Sequence, residues 1–196
     1  AYSLAEEERK KKQSKWKIVP LDHGQVSIYF PAEKETSNLR FHIHAPFAST
    51  VARDSVRACQ ANEDLRNHLA KLAVESLETI RDRGMLDVSF LAVLPNPADN
   101  LPEFYEPIRE ALVEAFCEQD LTPIRSGEHR FAGALYRGPA KIAEVLGDKG
   151  LSSLTKFSVP VWTANAPQEN QREDRFIQSL EIKEWGWSEL VSIFKQ

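Results

Sequence analysis

Residues 40–57 read "RFHIHAPFASTVARDSVR", and the fold turns on how that stretch is divided. From Arg40 to Phe47 the side chains alternate, the period-two pattern of a strand with one buried face. From Ala48 the alternation stops. Small and polar residues follow, and Arg53, Asp54 and Arg57 then bring three charges where a buried strand should already have turned. The stretch predicts a strand that runs into a short loop ending in an Arg-Asp pair.

Working outward, three strands are expected: "KWKIVPL" (15–21), "QVSIYFP" (25–31) and "LRFHIHAPF" (39–47). Asp22-His23-Gly24 is a tight-turn signal and "EKETSN" (33–38) reads as a polar hairpin loop, which together give an antiparallel meander. A helix follows, with Asn62 as N-cap, acids in its first turn, Arg81 and Arg83 in its last, and Gly84 as its stop. Its expected apolar stripe is Leu65, Leu69, Leu72, Ala73, Leu77 and Ile80. "LDVSFLAVLP" (86–95) reads as a central strand buried on both faces, and Phe104, Ile108, Leu112 and Phe116 mark a second amphipathic helix. Beyond these come a hairpin around Ser126-Gly127, a short helix at 139–147 ending at Gly147, and a strand in "KFSVPVWTA" (156–164). Two short helices separated at Trp185-Gly186-Trp187 complete the chain, the second capped by Ser188. The expected class is α+β, a mostly antiparallel sheet with packed helices. Its expected divisions are a linker or frayed helix at 1–14, a sheet-and-helix domain at 15–95, and a smaller α/β annex at 96–196.

The chain has 196 residues and a net charge of −4, long enough for a real core and too acidic for an obligate nucleic-acid binder. Cys59 and Cys117 share no metal or redox spacing, which suits a reducing cytoplasm. No apolar run approaches the roughly 20 residues of a membrane span. The start at Ala-Tyr, inside a charged run, suggests a piece of a longer protein.

His42 and His44 share a strand face and could hold a metal, but no third ligand has suitable spacing, so packed or hydrogen-bonded roles are expected. Cys59 with His68 lacks a third partner for nucleophilic chemistry. Glu6-Glu7 and Glu173-Asp174 read as solvated faces, and the basic run Arg9 to Lys12 as an exposed helix. No phosphate-cradling glycine loop is present, so no cofactor is expected within the chain and no enzyme activity in isolation. Arg53 keeps two readings. It pairs locally with Asp54 or a nearby acid, or it reaches outward to a phosphate held elsewhere, which a planar, always-charged guanidinium suits.

"GQVSIYFPAEKETSNLRFHIHAPFASTVARDSV" (24–56) resembles the segment after the ATP-binding domain in the histidine-kinase/heat-shock-chaperone ATPase superfamily, and the repeated regions of sacsin. The resemblance implies a transducer, or middle, domain with a left-handed βαβ crossover, whose loop supplies a basic residue to the γ-phosphate of ATP in the upstream domain. On this chain that residue is Arg53, with Arg57 second. ATP and Mg are then implied for the parent protein, the upstream ATP-binding domain of the same chain is the implied partner, and a protein client is the other partner expected. Ala52 stands where the chaperones carry a serine, and a single Arg stands where sacsin carries two. The alternative reading is a non-enzymatic module that binds a protein or a nucleic acid.

Overall fold

The structure, a computed structural model, describes residues 2–7, 15–155, 161–162 and 170–194. Ser3–Glu7 forms β1 and pairs antiparallel with β2, Lys15–Val19. The expected linker or frayed helix is therefore a strand over its first part, while Arg9 to Lys12 lie outside the described residues. β2 alternates as its sequence demands, with Trp16 exposed and Ile18 buried.

The meander is not formed. β3 (Gln25–Ser27), β4 (Pro31–Thr36) and β5 (Ile43–His44) make one sheet in the order β4-β3-β5, with β3 antiparallel to β4 and parallel to β5. The first four residues of the polar segment expected as a loop, Glu33 to Thr36, belong to β4. As an edge strand it exposes most of its side chains and buries Ala32, so charge is compatible with pairing there. Gly24 does not close a hairpin between β2 and β3. It lies so close to the 39–41 backbone that a Cβ would sit 2.1 Å from the Phe41 carbonyl oxygen.

Gln60–Asp82 forms α1. Its C-terminus follows the sequence closely: Gly84 has φ 68°, its N–H donates to Arg81, and the Met85 N–H donates to Ile80. This is the paired 5→2 and 6→1 arrangement of a Schellman stop. Ala70, Leu77 and Ile80 face the core, whereas Leu72, at the edge of the stripe, is 60% exposed.

The expected central strand at 86–95 is a 3-10 segment, Val88–Val93. The Asp87 carboxylate accepts the Phe90 N–H at 3.0 Å, starting a helical turn that an apolar run alone does not distinguish from a strand. Burial is as deep as expected, with Phe90, Leu91 and Val93 all at 0% exposure. No strand follows α1 there, so the left-handed βαβ crossover is not formed around this helix. Glu106–Glu118 forms α2, burying Ile108, Leu112 and Phe116, and α2 packs on α1.

β6 (Thr122–Pro123) and β7 (His129–Arg130) make the hairpin around Ser126-Gly127. β8 (Leu135–Arg137) leads into α3 (Ala140–Thr155), which is interrupted at Gly147 (φ 57°) where the sequence places a stop. β8 pairs in parallel with β9 (Val161–Trp162), and with β10 (Lys183–Glu184) after α4 (Arg172–Ser179). The rest of the expected 156–164 strand lies outside the described residues. α5 (Trp187–Phe194) follows. Its start is held by Glu189, whose carboxylate accepts the Gly186 N–H at 2.7 Å, rather than by a Ser188 cap. One buried cluster runs from Ile18 to Ile182, so the expected division near residue 95 falls inside it, and a smaller one gathers Tyr136, Ile142, Leu151 and Trp185. The class is α+β, with antiparallel and parallel pairings both present. Among the described residues no helix is long and apolar enough to cross a membrane.

Candidate functional site

The break in alternation at Ala48 marks a hairpin-shaped loop. Its limbs are joined by the Arg57 N–H to Ala48 carbonyl bond (2.9 Å) and by the Thr50 N–H to Ser55 carbonyl bond (3.0 Å). An antiparallel bridge between Ser49 and Val56 lies between them. Val51 and Arg53 stand at the tip, Val51 fully exposed at 103%.

Three anchors outside the loop hold this shape. Asn62, fully buried, is not the helix cap that its position suggests; Cys59 occupies the cap, and Asn62 turns backward. Its Oδ1 accepts the Ala48 N–H at 2.8 Å, and its Nδ2 donates to the carbonyls of Ala48 (2.8 Å) and Arg57 (2.7 Å). Glu35 on β4 accepts the Val56 N–H at 2.8 Å with one oxygen and the Tyr105 hydroxyl at 2.8 Å with the other. Burial, then the Glu35 carboxylate beside it, pushes the Tyr105 hydroxyl far above its ordinary range, keeping it a donor. Lys34 completes the set: its backbone N–H donates to the Asp54 carbonyl (2.9 Å) and its Nζ meets Asp54 Oδ2 at 2.7 Å.

That last contact bears on the local reading of Arg53, because it takes Asp54 away from it. Asp54 is turned to Lys34, and its other oxygen accepts the Thr50 hydroxyl at 3.0 Å. These bonds, Lys34 first, hold its carboxyl below the usual range. Arg53 is left exposed, and its side chain makes no hydrogen bond or ion pair among the described residues. Its backbone has φ 61°, a left-handed conformation that costs a non-glycine residue about 1 kcal/mol. A strained, unpaired cation on a clamped tip is the kind of outlier from which a functional reading starts. Arg57 is also exposed, and it stands on the returning limb at the loop's base rather than at the tip with Arg53.

Of the other sequence candidates, His42 and His44 line one pocket together with Tyr2, Leu69 and Leu72. His42 Nδ1 accepts the Gln25 N–H at 3.0 Å and His44 is exposed; among the described residues no three His, Cys, Asp or Glu side chains gather as a metal would need. His68 sits nine residues beyond Cys59, about 13 Å at helical rise, and its Nδ1 contacts the Asp64 carbonyl instead. Both cysteines are free thiols, and burial, followed by Glu181, pushes the Cys117 thiol up. Asp174 is not a solvated acid: it is 1% exposed, paired with Arg137, and accepts a bond from Gln178. Asn62, Glu35 and Lys34 were missed as anchors because each holds a partner at least 14 residues away, and Glu35 reaches Tyr105 across 70. Only the odd placement of an asparagine inside a helix's first turn hints at the first of them.

Compared with known proteins, the chain matches no family model, no curated protein and no solved structure.

Proposed function

We propose that this chain is the nucleotide-state sensor of a chaperone-like ATPase, with Arg53 reaching the terminal phosphate of ATP bound, with Mg, in an upstream domain of the same protein. The observation that carries the reading is Arg53 itself: exposed, unpaired and held at φ 61° on a loop braced from behind. A bond from a guanidinium on a braced loop to a γ-phosphate exists only while that phosphate does, so hydrolysis removes the closed state's advantage. Arg57, at the loop's base, is the second-choice contact. In this reading the chain has no turnover alone and works in the cytoplasm, where its two thiols stay reduced.

The test compares ATP turnover of the full-length parent with that of its Arg53→Ala variant. A charge-assisted bond contributes about 1.5–3 kcal/mol, so turnover should fall about ten- to a hundredfold. Unchanged turnover rejects the role. A second reading, a protein-binding module, is favoured by Val51, which places a fully exposed apolar side chain two residues from Arg53. Under that reading Val51→Asp abolishes capture of the partner in the absence of nucleotide, while Arg53→Ala leaves ATP turnover unaltered.

A further inference from the structure

The parallel sheet near the C-terminus carries a feature separate from the loop. In the order β10-β8-β9 the chain leaves β8 through α3 towards β9 on one side, while β10 lies on the other. Strands on the two sides of such a reversal open a crevice outside their carboxyl ends, the place where open α/β sheets take ligands. A crevice of about 760 Å³ is present there, within the size range of small-molecule sites. One wall is Arg137, Gly138 and Pro139 after β8; the other is Glu184, Trp185 and Gly186 after β10, with Glu189 from α5.

Its charge is not that of a phosphate site. The N-terminus of α5 would favour an anion, but the chain supplies one: Glu189 Oε2 accepts the Gly186 N–H at 2.7 Å and the Ser188 hydroxyl at 2.8 Å. These bonds hold the Glu189 carboxyl below its ordinary value. The Arg137 guanidinium is matched by the buried Asp174. Glu184 remains. It is exposed at the mouth and makes no hydrogen bond or ion pair among the described residues. The walls hold two carboxylates against one guanidinium that is already neutralised.

We propose that this crevice binds a cationic group, an ammonium or a guanidinium, with Glu184 as its counter-charge and Glu189 as the second carboxylate facing it. The group is carried either by a free small amine or by a basic side chain of a peptide, and the chemistry at the walls is the same for both. The inference does not depend on the reading of Arg53.

The test titrates the whole chain with agmatine, with acetyl-Gly-Arg-Gly-amide and with inorganic phosphate, following the Trp185 and Gly186 amide resonances. At least one of the two cationic probes should bind saturably, with Glu184→Gln weakening it about tenfold, as loss of one close charge partner does. Glu144→Gln, an exposed acid on α3 away from the crevice, should leave binding unchanged. Binding of agmatine assigns the site to small amines, and binding of the peptide alone assigns it to basic segments. No saturable binding of either cation, equal affinity in Glu184→Gln, or preference for phosphate would each overturn the proposal.

Discussion

Asn62→Ala is the most informative perturbation of the loop, because one buried amide holds both of its limbs. The substitution removes three bonds, of 2.7 and 2.8 Å, and strands the Ala48 N–H and the Arg57 carbonyl, while the Ala48 carbonyl keeps the Arg57 N–H. A buried polar group left unpaired costs about 1–3 kcal/mol, and partial access of water to these two puts the total near 2–4 kcal/mol. For a chain of this size each kcal/mol lowers Tm by about 2–4 °C, so the midpoint should fall by about 5–15 °C. Asn62→Asp sharpens the test. It keeps the acceptor for the Ala48 N–H but turns a donor into an oxygen facing two carbonyls, so it should be at least as damaging despite its equal size. Thermal and urea unfolding followed by circular dichroism read the stability, and amide exchange at Ser49 and Val56 reads the loop. A midpoint within about 1 °C of wild type for either variant is the size expected of an unconnected surface change, and would refute the bracket.

Gly24→Ala should destabilise the chain by at least about 1–3 kcal/mol, the usual scale of overpacking, because its Cβ would lie 2.1 Å from the Phe41 oxygen and 2.6 Å from that of Leu39; urea unfolding checks this. Arg53→Gly should leave stability equal or raise it by up to about 1 kcal/mol, since glycine adopts positive φ without strain, and a large loss would show that the side chain is structural. Arg172→Met breaks a two-pronged pair to Asp99 (2.5 and 2.7 Å) and bonds to the Ala92 and Leu94 carbonyls, and should cost about 3–5 kcal/mol. Burial raises the Asp99 carboxyl, but bonds from Arg172 and the Asn96 N–H outweigh it and hold the group below its ordinary value. A carboxyl lowered by folding stabilises above its unfolded pKa and loses that contribution as pH falls through the folded one. Asp99→Asn should therefore flatten the acid limb of a stability–pH curve below about pH 4; an unaltered limb would contradict the assignment.

How legible each element was follows from how local its causes are. α1, its Gly84 stop, the 122–130 hairpin and the break at Gly147 rest on neighbours within a few residues, and their signals are readable in order along the chain. The 86–95 segment was misread because an apolar run is common to buried strands and buried helices, and one carboxylate, Asp87, tips it. β4 was misread because its polarity is that of an edge, and being an edge is a property of the sheet, not of the six residues. The same holds for the site. Arg53 could be singled out from the lapse in alternation, but what leaves it unpaired is Lys34 taking Asp54, a contact across 20 positions.

Arg172 reaches back 73 residues to seal Asp99. During synthesis at about 5–20 residues per second, Asp99 waits about 4–15 s after its own addition to the chain before its counter-ion is made. Through that interval the nascent chain holds an acid destined for burial without its two-pronged partner, and the 3-10 segment beside it lacks the bonds that Arg172 gives the Ala92 and Leu94 carbonyls. Slow codons placed between these two positions would lengthen the exposure, and premature termination there would release a polypeptide unable to finish its interior.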